Sequence, residues 1–128
     1  VASDAPDTDF TAKLIDVHPR SEDYPQGYAM LLGDGIVRLR YVDDPAAPVL
    51  NRPGELRRVR IVLFPTANLF LHGHRVRLDV SSSNLPKFDV NPNTGEAEGE
   101  ARRQRRAVNS VFTGPSHPSR IVLPELPG

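Results

Sequence analysis

His74-Arg75-Val76-Arg77-Leu78-Asp79-Val80-Ser81 alternates with period two: Val76, Leu78 and Val80 share one face, Arg75, Arg77, Asp79 and Ser81 the other. Successive strand side chains point to opposite sides of a sheet, so this pattern predicts a half-buried β-strand. Working outward, residues 36–41 repeat the scheme, with Val37, Leu39 and Tyr41 opposite Arg38 and Arg40. Residues 57–64 set Val59, Ile61 and Leu63 against Arg58 and Arg60, and both faces become apolar at Val62 and Phe64. Phe10 to Val17 reads as a further strand, Arg120 to Leu123 as another, and residues 108–113 as a weaker one.

Turn chemistry separates these segments. Asp34-Gly35 offers a residue that tolerates positive φ, and Pro53-Gly54 suits a type II turn, with Pro presetting φ at the second position and Gly taking positive φ at the third. Asn91-Pro92-Asn93-Thr94-Gly95 is loop chemistry throughout. Only residues 96–107 lean helical, and Gly99 weakens that lean. Short strands parted by such turns predict an all-β sandwich or barrel. A chain of 128 residues with 13 prolines and 9 glycines fits one domain spanning 1–128.

Composition narrows the partners. Sixteen Lys+Arg balance sixteen Asp+Glu, which removes the electrostatic case for nucleic acid or an anionic membrane. Only Lys13 and Lys87 are lysines, so cation pairing falls to the planar guanidinium fork. Without cysteine, neither disulfides nor thiolate metal sites are available. No apolar run approaches the length that crosses a bilayer, and no basic segment leads into an apolar one as in a signal peptide. Compartment is left open, the cytoplasm slightly favoured. The chain opens on Val1-Ala2-Ser3 without an initiator Met, which reads as a strand already under way. The expectation is that this is not a natural start.

No constellation assembles a catalytic centre on paper. An α/β-hydrolase nucleophile needs Gly-x-Ser-x-Gly on a strand-to-helix elbow; the nearest stretch, Gly114-Pro115-Ser116-His117-Pro118, puts Pro where the second Gly belongs. Ser81 to Ser83 offer hydroxyls without a base at any recognisable spacing. His72-Gly73-His74 could set two imidazoles on a metal with a carboxylate as third ligand, or could be a corner in which Gly73 makes the turn. His18 and His117, each before a Pro, read as loop residues. Arg102-Arg103-Gln104-Arg105-Arg106 follows Glu96, Glu98 and Glu100 and lacks aromatics to stack bases, so it reads as a solvated segment or a strip against an acidic partner. The strand arginines (Arg38/Arg40, Arg58/Arg60, Arg75/Arg77) would form a lattice needing carboxylates, with Asp16, Glu55 and Asp79 as candidate suppliers. No residue is assigned a catalytic, cofactor-binding or metal-binding role.

Several stretches in order carry a family resemblance: residues 3–19, from Ser3-Asp4-Ala5-Pro6-Asp7-Thr8-Asp9-Phe10 to Asp16-Val17-His18-Pro19; Asp34-Gly35-Ile36-Val37-Arg38-Leu39-Arg40-Tyr41; and Pro53-Gly54-Glu55. Pro65-Thr66-Ala67-Asn68-Leu69-Phe70-Leu71, Gly73-His74-Arg75-Val76 and Ser81-Ser82-Ser83-Asn84-Leu85-Pro86-Lys87-Phe88-Asp89 extend the set. It ends with Asn91-Pro92-Asn93-Thr94-Gly95 and His117-Pro118-Ser119-Arg120-Ile121-Val122-Leu123-Pro124. Together they resemble the C-terminal domain of the CocE/NonD hydrolases, which include cocaine-esterase-like enzymes, α-amino-acid ester hydrolases and X-Pro dipeptidyl-peptidases. Two features depart from the pattern: His72, where Pro is common, and the Glu/Arg-rich segment 96–107.

The resemblance implies an all-β, galactose-binding-domain-like jelly-roll sandwich, lacking its first strands, a fragment of a larger hydrolase in which it is appended to an α/β-hydrolase catalytic domain. The Ser, Asp and His of that family's triad lie upstream, so none falls on this sequence. The domain would catalyse nothing alone and would support the catalytic domain and its substrate entrance. No cofactor, nucleic acid or membrane partner is expected; homo-oligomerisation is left open. The competing function is a carbohydrate-binding module, for which Tyr24 and Tyr28 are the candidate platform, Phe10, Phe64 and Phe70 reading as core. A metal-dependent enzyme using His72 and His74 stands behind that.

Overall fold

A computed structural model describes residues 1–126; Pro127 and Gly128, the last two positions of the expected 1–128 domain, lie outside them. The chain forms β1 (Ala2–Ser3), β2 (Asp9–His18), β3 (Tyr28–Arg38), a 3-10 turn (Leu39–Tyr41), β4 (Arg75–Ser81) and β5 (Asn109–Ser110). A three-stranded antiparallel sheet has the order β3-β2-β4, and β1 pairs with β5 in a second, two-stranded sheet. The expected all-β class holds.

The register of β2 organises the rest. Ala12 lies opposite Gly35 on β3 and Val80 on β4, and Leu14 opposite Gly33 and Leu78. Asp16 lies opposite Met30 and Val76. Directly paired residues share a face, so Phe10, Ala12, Leu14 and Asp16 line one side and Thr11, Lys13, Ile15 and Val17 the other. A bulge between Leu14 and Ile15 shifts the pairing by one residue of β3, leaving Leu32 without a partner. Phe10, Ala12, Leu14 and Ile15 are buried, as is Leu39 beyond the end of β3, which puts the core around the central strand.

Why β3 holds two glycines follows from packing. Segment 61–64 lies against the strand: Phe64 N–H donates to the Asp34 carbonyl at 3.1 Å, and a Cβ on Gly35 would strike the Val62 carbonyl. Asp34-Gly35 is therefore interior strand rather than the expected turn, its glycine required by the close approach of another backbone. The other expected turns hold: Gly54 (φ 79°), Gly73 (φ 86°), Asn93 (φ 62°) and Gly95 (φ 76°) take positive φ.

Other differences have physical causes. The strand expected at 36–41 ends at Arg38 because the buried Asp7 carboxylate accepts the Arg40 N–H at 3.1 Å while Leu39 N–H turns to the Thr8 carbonyl at 2.9 Å. Segment 57–64 keeps its alternation, with Val59, Ile61 and Leu63 half-buried and Arg58, Arg60, Val62 and Phe64 exposed. It makes isolated backbone bonds, from Arg57 N–H to Val1 and from Phe64 N–H to Asp34, rather than a ladder, and so is not strand. Of 108–113 only Asn109–Ser110 is paired. Residues 120–123 are exposed and unladdered, and 96–107 has no helix, Gly99 turning at φ 77°.

Candidate functional site

Two polar clusters sit toward opposite ends of β2, with an uncovered apolar row beside the strand. At its start, Asp9 lies opposite Arg38. The same register carried two residues on brings Asp7 to Arg40. Both acids are buried. Arg38 Nε donates to Asp9 Oδ1 at 2.9 Å and its Nη2 to Oδ2 at 3.1 Å, a bidentate fork, while Nη1 reaches Glu98 at 2.7 Å. Arg40 Nε donates to Asp7 Oδ2 at 2.8 Å and its Nη2 to the Glu96 carbonyl at 3.0 Å. Asn91 Nδ2 donates to both acids, at 2.9 and 2.7 Å. The Asp9 hydrogen bond, working against desolvation, holds Arg38 above its ordinary pKa, and the bond from Arg38 holds Glu98 below its own.

The expected arginine lattice therefore exists in part, and of the expected acids Asp79 is the one that pairs with a strand arginine among the described residues. Asp7 and Asp9 serve Arg38 and Arg40, Asp79 pairs with Arg77 at 3.0 Å, and Glu55 accepts from the Arg52 backbone N–H. A signal for Asp7 and Asp9 was present in the sequence: acids two apart facing arginines two apart across an antiparallel pair.

Asp16 is spent elsewhere, at the far end of β2. Its Oδ1 meets His74 Nδ1 at 2.9 Å, and its Oδ2 accepts from Asn68 Nδ2 at 3.0 Å and lies 3.6 Å from His18 Nε2. Burial works to raise this carboxyl, but the bonds from Asn68 and His74 and the neighbouring imidazoles outweigh it and hold its pKa below the usual value. The turn at Leu71–His74, closed by His74 N–H to the Leu71 carbonyl at 3.0 Å, delivers His74 into the cluster, as Gly73 was expected to allow. His72 is exposed and outside it. His18, expected in a loop, closes β2 and joins it instead.

Between the clusters, Val76, Leu78 and Val80 of β4 are 50%, 40% and 43% exposed, although their paired neighbours Ala12 and Leu14 are buried. Phe64, expected in the core with Phe10, is exposed; its ring carries the Lys87 ammonium 4.4 Å from its centroid. Lys87 and Asn84 also bond the buried Asp34 carboxylate, and chiefly the lysine bond holds that group below its ordinary pKa.

Among the described residues, no serine candidate is hydrogen-bonded to a base. Ser81 Oγ donates to the Ser83 carbonyl at 2.8 Å, and Ser116-His117 lies in an exposed turn. Tyr24 and Tyr28 are exposed but stack on one another, centroids 5.1 Å apart at 24°.

The charged groups of this all-β domain are thus largely paired with one another, and the apolar row of β4 is left uncovered. Residues 1–122 match the family described as the X-Pro dipeptidyl-peptidase C-terminal non-catalytic domain. The cocaine esterase of Rhodococcus sp. (strain MB1 Bresler) is 49% identical over 126 residues, 97% of this chain and 21% of that protein. An aminopeptidase from a marine sediment Thaumarchaeota archaeon superposes with a TM-score of 0.68 at 35% identity, over 73% of this chain and 16% of that one. An α-amino acid ester hydrolase superposes at 0.62 with 31% identity, over 83% and 18%. The chain belongs to this family, as a C-terminal non-catalytic domain of the CocE/NonD type of hydrolase. It spans about a fifth of the curated relative's length.

Proposed function

We propose that the chain is the jelly-roll buttress of a serine hydrolase, packed on the α/β-hydrolase domain of the same polypeptide and forming part of its substrate entrance. The parent would cleave an ester, amide or X-Pro bond by serine attack, with a histidine as general base, an aspartate orienting it and an oxyanion hole. The similar proteins are an esterase, an aminopeptidase and an ester hydrolase. The observation that carries the reading is the row Val76, Leu78 and Val80, patterned for burial yet exposed on a strand whose outer edge is unpaired among the described residues. An apolar row on an open strand edge is an aggregation hazard unless another surface covers it.

Leu78→Asp separates this reading from a free-standing module. In the isolated chain the side chain is already exposed, so unfolding should shift little. In the parent the substitution buries a charge at an interface, so thermal stability and kcat/KM for ester hydrolysis should fall together. A parent unaffected by Leu78→Asp would overturn the proposal.

A further inference from the structure

We propose that Asp16, His18 and His74 form a binding site for a divalent first-row metal ion, zinc foremost. Two strands and a turn bring the three together: Asp16 and His18 lie two apart on one face of β2, and His74 immediately precedes β4, whose Val76 pairs with Asp16. One ligand atom from each, two imidazole nitrogens and a carboxylate oxygen, lie within 4.8 Å of one another.

The distances suit a small cation. Zinc binds imidazole nitrogen and carboxylate oxygen at about 2.0–2.2 Å in tetrahedral geometry, which sets neighbouring donors roughly 3.4 Å apart. Asp16 Oδ1 to His74 Nδ1 is 2.9 Å and Asp16 Oδ2 to His18 Nε2 is 3.6 Å, on either side of that spacing. The two imidazoles meet different oxygens of the carboxylate, so side-chain rotation would draw the three donors onto one ion, which replaces the proton shared by His74 and Asp16.

A second observation points to a missing partner. His18 Nε2 is enclosed and makes no hydrogen bond, although it faces the carboxylate. Enclosed polar atoms are nearly always satisfied, and a cation would take this lone pair. The surroundings resemble the outer support of metal sites: Asn68 Nδ2 fixes the carboxylate, and Tyr28 packs against the His18 ring in a T-shaped pair at 5.7 Å and 69°. The His18 side chain, 28% exposed, gives an ion a route in. Two neutral imidazoles with one carboxylate favour zinc, copper(II) or nickel(II) over calcium or magnesium.

The test uses the full-length polypeptide that carries this chain, stripped with chelator and titrated with zinc chloride by calorimetry, bound metal being counted by mass spectrometry after dialysis. His18→Ala removes one donor from a half-exposed position, and His18→Phe does so while keeping an aromatic ring against Tyr28. Wild type should hold one zinc more than either variant, or bind it at least about 10-fold more tightly. Zinc should raise its Tm while leaving both variants unchanged. Equal zinc content in wild type and both variants, or none in wild type, would overturn the site and leave a hydrogen-bonded His–Asp–His cluster.

Discussion

Replacing Arg40 with Met tests whether the buried acid–arginine cluster holds the domain together. Arg40 keeps only 8% of its side-chain surface and Asp7 none. The substitution removes the 2.8 Å donor to Asp7 and the 3.0 Å donor to the Glu96 carbonyl while filling much of the volume. Removing one partner of a buried pair costs about 3–5 kcal/mol, because the other charge stays desolvated. Asp7 would still accept from the residue-40 backbone N–H at 3.1 Å and from Asn91 at 2.9 Å, which places the expected loss at the lower end, about 3 kcal/mol. At a urea slope of about 1.5 kcal/mol/M, the unfolding midpoint should fall by roughly 2 M. Asp7→Asn alone should cost a similar amount by stranding Arg40. Combined with Arg40→Met it should cost clearly less than the sum, the coupling being about 1–3 kcal/mol. A loss below about 1 kcal/mol in either single variant, or strict additivity in the double, would refute the view that these charges depend on each other.

Gly35→Ala drives a Cβ into the Val62 carbonyl, so segment 61–64 must shift; a loss of about 1–3 kcal/mol in denaturant titrations is expected, and wild-type stability would contradict the close approach. Asp34→Asn should be less stable than wild type at neutral pH, the deficit closing on acidification. The folded-state pKa of Asp34 is lowered, so its stabilisation is present above the unfolded value of about 3.9 and is lost as pH falls through the folded one; a deficit unchanged from pH 7 to pH 2 would contradict the sign. The isolated chain should give no turnover of an activated ester above buffer and no labelling by a fluorophosphonate serine probe; labelling at Ser116 or Ser81 to Ser83 would overturn the non-catalytic reading.

How much of this was legible follows from the range of the forces involved. Strands β2 and β4 announce themselves because period two is a local property, and Gly54 and Gly73 because positive φ is a demand on one residue. Most of β3 does not, since Tyr28-Ala29-Met30-Leu31-Leu32-Gly33-Asp34-Gly35 has no clean alternation and its glycines answer to a backbone that arrives some thirty residues later. The end of β3 is set by the side chain of Asp7, equally remote. Asp16 and His74 were each visible, yet they are 58 positions apart and meet only once β2 and β4 are in register. The carboxylate sought near His72 and His74 was therefore missing from any local spacing: Asp16 stands on another strand and meets His74, while His72 stays outside the cluster.

The two polar clusters also explain how one register is chosen on a sheet whose outer strand is barely covered. Slipping β3 by a residue would turn its side chains to the opposite face. The Leu14/Ile15 bulge already shifts the pairing once, so the two halves of β2 need separate anchors. Before the bulge, Asp9–Arg38 and Asp7–Arg40 supply one, since a slip would leave buried carboxylates without guanidinium partners. After it, His18 pairs directly with Tyr28 and forms a T-shaped ring pair with it. With register held by charge and ring contacts, Val76, Leu78 and Val80 need not be buried within this chain for the sheet to form. Damage to the clusters should therefore unfold the chain on its own, whereas damage to the β4 row should register only in the assembled protein.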